Sequence, residues 1–225
     1  MEIHPSLISS NLLNLERTIK VLEPYCEGYH LDVMDYHFAP NLTWGPMFIN
    51  AFIDSTNKPF FIHLMVNHPL VWIEPMSLRP QDFFVFHYEA FSSYGNQNIY
   101  AINKCISLLK EKGCKLGIAI NPNTEIEVVF PFLAVVDTVL VMSVYPGFSG
   151  QTFIPDVVDK IPLLVEERKR IDASFKIAMD GGINMQNIAE LHKAGVEQFG
   201  IASAIFNNAD LVIAIQELRI QAQGI

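Results

Sequence analysis

The chain has 225 residues, of which 50% are hydrophobic and 17% are charged, and this composition excludes an intrinsically disordered protein. Its 15 basic and 24 acidic residues give a formal net charge of −9, which argues against nucleic acid as the main partner. The longest apolar run, residues 128–136, is far shorter than the ~20 residues that span a bilayer, so we expect no membrane partner. The start of the chain lacks a signal-peptide pattern, and the three cysteines lack Cys-x-x-Cys spacing, which predicts a cytoplasmic protein.

Short β-rich segments alternate with helical patterns along the whole chain. The predicted strands are 3–9, 29–34, 60–66, 83–87, 115–120, 138–143, 176–179 and 198–201. The predicted helices lie near 11–23, 46–55, 69–78, 97–112, 124–133, 156–171, 185–194 and 209–222. Such alternation predicts an α/β protein with a parallel sheet, and eight units favour a closed (β/α)₈ TIM barrel over an open doubly wound sheet. Because no linker or composition shift divides the chain, we expect a single domain over residues 1–225.

Four ionisable residues fall at late positions of three predicted strands. His30 and Asp32 share one face of the second strand, because side chains alternate along a strand, while His63 lies in the third and Asp180 ends the seventh. In a barrel these strand ends meet at the mouth that holds the active site. Imidazole and carboxylate groups bind divalent metals, so the pattern predicts one divalent cation per chain, either Zn, Fe, Mn or Co. The alternative is a set of hydrogen-bonded polar residues in a wet barrel interior.

Other residues of these strands allow more than one interpretation. His87 ends the fourth strand, where it is a partner of the four residues, a substrate contact or a core histidine. Met34, Met65 and Met142 are either an apolar floor that limits water or ordinary core residues. The remaining histidines lack a supporting pattern and are expected at the surface or in loops: His4, His37, His68 and His192.

Small residues follow each of the last three predicted strands. The three segments are Gly147-Phe148-Ser149-Gly150, Gly181-Gly182 and Ala202-Ser203. Glycine lets backbone N–H groups approach an anion closely, and the late loops of a barrel commonly form its phosphate site. None of the three segments contains Lys or Arg, so binding would depend on backbone amides, a helix dipole and the Ser203 hydroxyl. This predicts a small phosphorylated substrate, although turn geometry alone also explains each glycine run.

The longer motifs around these residues resemble the ribulose-phosphate 3-epimerase family over nearly the whole chain. The matching blocks are residues 5–9, 30–35, 38–43, 63–66, 87–90, 121–124, 141–151, 180–183 and 203–206. The resemblance implies a (β/α)₈ barrel isomerase of the pentose phosphate pathway that interconverts D-ribulose 5-phosphate and D-xylulose 5-phosphate. It also implies that Asp32 and Asp180 are the acid/base pair and that they bind one metal together with His30 and His63. Ser6 and His63 would contact substrate. The three small-residue segments would hold the phosphate.

Such a reaction inverts a carbon beside a ketone, so a proton must leave one face and return to the other. The intermediate is an enediolate, whose oxygen charge a metal can stabilise as a Lewis acid. Two carboxylates from different strands, Asp32 and Asp180, suit proton transfer at the two faces.

Three departures from the family leave the substrate open between five and six carbons. Tyr36, Ser149 and Ala202 stand where the family usually has glycine, and Tyr36 either packs over its loop or narrows the entrance. The opening block also looks like the related D-allulose-6-phosphate 3-epimerases. A decarboxylase or aldolase barrel is a further alternative, but the Asp-x-Lys motif common in such relatives is absent from the sequence. The last alternative is a non-catalytic phosphate-binding barrel. The expected partners are a sugar phosphate and further copies of the chain in a homo-oligomer.

Overall fold

The computed structural model describes residues 1–224, apart from the side chains of residues 93–97. Its strands are β1 Glu2–Pro5, β2 Tyr29–Met34, β3 Phe60–Met65, β4 Phe83–His87, β5 Lys115–Ile120, β6 Thr138–Met142, β7 Lys176–Asp180 and β8 Gln198–Ile201. Its α-helices are α1 Leu15–Leu22, α2 Pro46–Ser55, α3 Leu70–Ile73, α4 Asn98–Lys112, α5 Lys160–Arg170, α6 Ile188–Ala194, α7 Ser203–Phe206 and α8 Leu211–Gln223. Short 3₁₀ segments occupy Leu7–Ser9, Leu12–Asn14, Tyr88–Gln97, Ile126–Phe132 and Pro155–Asp159. Among the described residues, no helix has both the length and the apolar content needed to cross a bilayer.

The strands form one parallel sheet that curves into a nearly closed barrel. Within residues 1–224 the sheet has eight strands in the order β1-β8-β7-β6-β5-β4-β3-β2. The two end strands meet through a parallel bridge between Ser6 and His30. The predicted (β/α)₈ barrel with a single domain is therefore confirmed, and it places all the carboxyl ends of the strands at one rim.

Side-chain alternation along the strands divides the interior into two regions. Leu31, Val33 and Leu64 point outward and belong to the large core between the barrel and its helices. Phe61 and Leu140 face inward and belong to a smaller apolar cluster that fills the barrel. A polar layer lies beneath this cluster, at the amino ends of the strands. Its contacts include an ion pair between Glu2 and Lys176 and hydrogen bonds that link Glu2, Gln198 and Thr138.

Several predicted elements are shorter in the structure than in the sequence analysis. The first strand ends at Pro5, because the chain turns into a 3₁₀ segment that Ser10 Oγ closes with a hydrogen bond to the Leu7 carbonyl. The third helix is only Leu70–Ile73, and Pro75, which follows the C-cap residue Glu74, has no N–H group with which to continue the helical hydrogen bonds. Residues 126–132 form a 3₁₀ segment rather than an α-helix, and Pro131 within it has no N–H to donate.

Tyr36 adopts a left-handed backbone conformation just past the end of β2. Its φ is 63°, its amide donates to the Asn41 carbonyl at 2.9 Å, and its side chain is 70% exposed. A left-handed conformation costs a non-glycine residue ~1–2 kcal/mol through crowding of its Cβ atom. The exposed ring offers little burial to offset that cost.

We therefore expect Tyr36→Gly to be more stable than Tyr36→Ala by about 1 kcal/mol in the free energy of unfolding, measured by urea denaturation. At Lys104, exposed on the right-handed helix α4, the same two substitutions should give the opposite order, because alanine favours a helix by about 1 kcal/mol over glycine. If the alanine variant at position 36 is as stable as the glycine variant, the left-handed backbone there is not strained for a non-glycine residue.

Candidate active site

The barrel brings the four predicted ionisable residues to one point below its rim. His30 and Asp32 occupy successive inward positions of β2, and the register of β2 against β3 places His63 beside Asp32. Asp180 is the last residue of β7. All four side chains are buried, and each offers one ligand atom within 4.8 Å of the others. The convergence predicted from the alternation of these strands is therefore confirmed.

The facing atoms are two imidazole nitrogens and two carboxylate oxygens. His30 Nε2 lies 3.2 Å from Asp32 Oδ1 and 3.5 Å from Asp180 Oδ2. His63 Nδ1 lies 3.3 Å from Asp32 Oδ1 and 3.5 Å from Asp180 Oδ2. Mixed nitrogen and oxygen donors at this spacing suit a divalent transition-metal ion. The residues present therefore fit the predicted cation.

Burial and mutual attraction have opposite effects on the charges of this cluster. Burial alone would raise the pKa of Asp32, but the neighbouring His30 and His63 hold that pKa well below its usual range. Burial alone would lower the pKa of His63, but its hydrogen bonds with Asp180 and Asp32 raise the pKa to about 9. The two carboxylates thus favour a positive charge between them, which is the condition for binding a cation.

Two residues from outside the cluster fix the position of its side chains. Ser6 Oγ donates to Asp32 Oδ2 at 2.5 Å, so the carboxylate oxygen that faces away from the histidines is also held. A Cβ atom on Gly200 would lie 2.9 Å from Asp180 Oδ1 and 3.0 Å from His30 Nδ1. Gly200 therefore provides the space in which Asp180 and His30 approach each other. The sequence analysis missed it, although a glycine inside a strand often marks such a close approach.

A cleft that is partly open to solvent lies above Asp32 and Asp180. The cleft is lined by the residues predicted to bind substrate and phosphate: Ser6, Gly147, Phe148, Ser149, Gly150, Gly181, Gly182, Ala202 and Ser203. The three methionines also line it: Met34, Met65 and Met142. Of the described residues that line the cleft, none is Lys or Arg. His30 and His63 are not among the lining residues, so the predicted contact of His63 with substrate stays a prediction.

The glycines of the cleft occupy positions that other residues fit poorly. Gly181 has a φ of 111°, and a Cβ atom there would meet the Val144 side chain at 2.4 Å. Gly182 has a φ of 64°, and a Cβ atom there would lie 2.7 Å from the Phe153 amide nitrogen. The loop through Gly147 is tied down as well, because Asn41 Nδ2 donates to its carbonyl at 2.8 Å. These contacts limit the conformations available to the cleft wall.

Two further predicted residues have distinct places. His87 is buried and its Nε2 lies 2.8 Å from His63 Nε2, so it is a partner of the cluster and not a surface residue. Tyr36 is exposed and is not among the residues that line the cleft, so the narrowed entrance has no support in this geometry and the packing of the ring over its loop stays a prediction. His4 was expected at the surface, but it is buried inside the barrel because β1 turns it inward, with its ring 5.8 Å from that of Phe61.

Comparison with known proteins agrees with this geometry. The sequence model of the Ribulose-phosphate 3 epimerase family matches residues 2–206. The ribulose-phosphate 3-epimerase of Escherichia coli (strain K12) is 37% identical over 223 residues, covering 96% of this chain and 94% of that protein. The chain belongs to the ribulose-phosphate 3-epimerase family. The family's enzyme from Treponema pallidum (strain Nichols) is 37% identical over 204 residues and covers 90% of each chain.

Membership of the ribulose-phosphate 3-epimerase family makes the chain an isomerase of the epimerase type. The resemblance noted in the sequence motifs is therefore confirmed. Among solved structures, a crystal structure of KGPDC from Streptococcus mutans in complex with D-R5P has a TM-score of 0.74 at 12% identity, covering 100% of this chain and 98% of that chain. At this identity the similarity supports the barrel fold alone.

The close approach at Gly200 gives a test of the cluster. We expect Gly200→Ala to lower the affinity for Co²⁺ at least about tenfold, because the added Cβ atom displaces Asp180 or His30, as measured by titration of the Co²⁺ absorption bands. Gly45→Ala is the matched control, since a Cβ atom at Gly45 meets nothing within 4 Å. Equal affinity in the two variants would show that the close approach does not position the cluster.

Proposed function

We propose that the chain is a divalent-metal-dependent 3-epimerase that interconverts D-ribulose 5-phosphate and D-xylulose 5-phosphate. The observation that carries the proposal is that Asp32 and Asp180 reach one cleft from β2 and β7, two strands separated by β1 and β8. Epimerisation needs proton transfer at two faces of one carbon, and two carboxylates can supply it. The names of the relatives from E. coli and T. pallidum support the same activity.

The cleft suits a short sugar phosphate. Backbone amides of Gly147–Gly150, Gly181–Gly182 and Ala202–Ser203 would bind the phosphate at one end, since basic side chains are absent from the described lining. C2 and C3 of the sugar would then lie over Asp32 and Asp180. The rigid glycine turns fix the distance between the phosphate and the reacting carbon, which favours a productive orientation.

The two carboxyl groups would act in turn. One carboxylate removes the proton from C3 on one face and leaves a planar enediolate, and the other carboxylic acid returns a proton to the opposite face. In the reverse direction the two groups exchange roles. The Ser6 hydroxyl keeps Asp32 oriented through this exchange. Met34, Met65 and Met142 form the apolar floor that keeps water from the intermediate.

His30, Asp32, His63 and Asp180 would hold the divalent cation, because their donor atoms already face one another. When bound, the cation supplies Lewis-acid stabilisation of the negative charge that develops on the substrate oxygens. Asp32 and Asp180 would repel each other less with a positive charge held between them.

A substrate panel tests the proposed function. We expect kcat/KM to be higher for D-ribulose 5-phosphate than for D-allulose 6-phosphate, as the names of the relatives indicate. We expect it to be very low for unphosphorylated D-ribulose, because the cleft would bind substrate through the phosphate. The measurement is epimer formation by NMR with metal-loaded protein. A higher kcat/KM for D-allulose 6-phosphate would reassign the substrate to six carbons, and comparable values for D-ribulose and its phosphate would contradict the phosphate site.

The two-carboxylate step predicts that Asp32→Asn and Asp180→Asn each lower kcat by at least about 100-fold, because each removes one proton carrier. Loss of the C3 proton to deuterated solvent, followed by NMR, shows whether one face still exchanges. Asp156→Asn is the control, since Asp156 is exposed and lies outside the cleft lining. Metal content is measured alongside, so that loss of the cation is separated from loss of the base. If both variants keep more than about a tenth of kcat, a change under ~1.4 kcal/mol, the mechanism is wrong.

A further inference from the structure

A line of side chains runs from the metal-ligating cluster into the protein, away from the cleft. His63 Nε2 lies 2.8 Å from His87 Nε2, and His87 Nδ1 lies 3.2 Å from Glu89 Oε2. Both histidines are buried, and their rings stack at 5.0 Å between centroids. Neither His87 nor Glu89 is among the residues that line the cleft. The hydrogen-bonded contact of these two residues with the cluster is made through His63.

The far end of this line is a carboxylate whose orientation is fixed. Glu89 Oε1 accepts from the Asn121 amide at 2.7 Å and from the Thr124 hydroxyl, so Oε2 is left to face His87. Lys160 Nζ donates to the Thr124 carbonyl at 2.7 Å and thereby holds the same loop. Burial raises the pKa of Glu89, but hydrogen bonds from His87, Thr124 and Asn121 lower it below its ordinary value. The ionised carboxylate only accepts hydrogen bonds.

The positions of the protons follow from these contacts. Because Glu89 Oε2 accepts, His87 Nδ1 carries a hydrogen and donates it. A neutral His87 with its proton on Nδ1 has no hydrogen on Nε2, so this nitrogen can only accept a hydrogen bond from His63 Nε2. The 2.8 Å separation of the two Nε2 atoms agrees with this, because two N–H groups cannot face each other at that distance. His63 Nε2 then carries a hydrogen, so when a cation takes the place of the second proton of this ring, His63 Nδ1 is the nitrogen left without one. That nitrogen is the atom that faces Asp32 and Asp180.

We propose that Glu89, acting through His87, is a positioning residue that sets the His63 tautomer and so keeps Nδ1 available to the divalent cation. This inference rests on the proposed function, since it assumes that the cluster binds a metal. Metal-ligating histidines commonly need such an acceptor at their second nitrogen, and loss of the acceptor typically weakens metal binding about 10–100-fold. Here the acceptor is itself a histidine, so a carboxylate one ring further away sets the orientation of both rings.

Glu89→Gln tests the proposal with almost no change of shape. The amide oxygen of glutamine can still accept from Asn121 and Thr124, so its NH₂ group would face His87 Nδ1. Because a donor then faces His87, the hydrogen of its ring moves to Nε2, and the hydrogen of His63 moves to Nδ1. We expect the Zn²⁺ dissociation constant, measured by competition with a chromophoric chelator, to rise at least about tenfold. In the Zn²⁺-loaded wild type, ¹⁵N NMR of the imidazole rings should show the hydrogens on His63 Nε2 and His87 Nδ1.

Thr124→Val is the matched control, because it removes a hydrogen bond to Glu89 Oε1 but leaves Oε2 to accept from His87. Its Zn²⁺ affinity should stay within about twofold of the wild type. If Glu89 only anchored the loop at Thr124, Thr124→Val would weaken Zn²⁺ binding whereas Glu89→Gln, which keeps that anchor, would not, and the proposal would be overturned. Wild-type affinity in Glu89→Gln, or a wild-type NMR spectrum with the opposite tautomers, would overturn it as well.

A second variant covers the case in which Glu89→Gln does not fold. His87→Phe keeps the stacked ring but removes the acceptor for His63 Nε2–H, so it should also raise the Zn²⁺ dissociation constant at least about tenfold. An unchanged constant in a folded His87→Phe variant would overturn the proposal. The wild-type titration distinguishes failure of this inference from failure of the metal site. If the wild type binds Zn²⁺ tightly and neither variant weakens that binding, only the role of Glu89 is refuted. If the wild type binds no stoichiometric Zn²⁺, the metal site is refuted as well.

Discussion

The close approach of two carboxylates and two imidazoles inside an apolar barrel is the constraint on which the rest of the structure depends. Buried charges are strongly unfavourable unless each has a partner, and here Asp32 and Asp180 both lie beside His30 and His63. The surrounding chain serves this arrangement. Gly200 leaves the space that it needs, and hydrogen bonds reach the cluster from the side of the cleft and from the side of the core.

Barrel closure and the site share the same residues. The bridge that joins the first and second strands is formed by Ser6 and His30, and the Ser6 hydroxyl also holds Asp32. A shift in the register of that closure would move the cluster and the cleft wall together. The polar layer around Glu2 lies at the opposite end of the barrel, where it contributes to stability without access to the cleft. The contacts of this polar layer are thus separate from the site along the barrel axis.

The strands and the cluster were predictable because both depend on alternation. Side chains of β2 alternate between the helix-facing core and the barrel interior, so placing Leu31 outward necessarily places His30 and Asp32 inward. The exact helix lengths were less predictable, since tertiary packing and prolines such as Pro131 decide where a helical pattern ends. Gly200 and Glu89 were missed because their roles depend on distances across the barrel that no local pattern contains.

Anomalous X-ray diffraction from crystals grown without chelator tests the central claim most directly. The account predicts one strong metal peak per chain, bonded to His30 Nε2, His63 Nδ1 and a carboxylate oxygen from each of Asp32 and Asp180, with data collected across the absorption edges of Mn, Fe, Co and Zn. Two results would contradict it. One is a metal peak at another position, and the other is protein that contains stoichiometric metal but shows no metal peak between these four side chains.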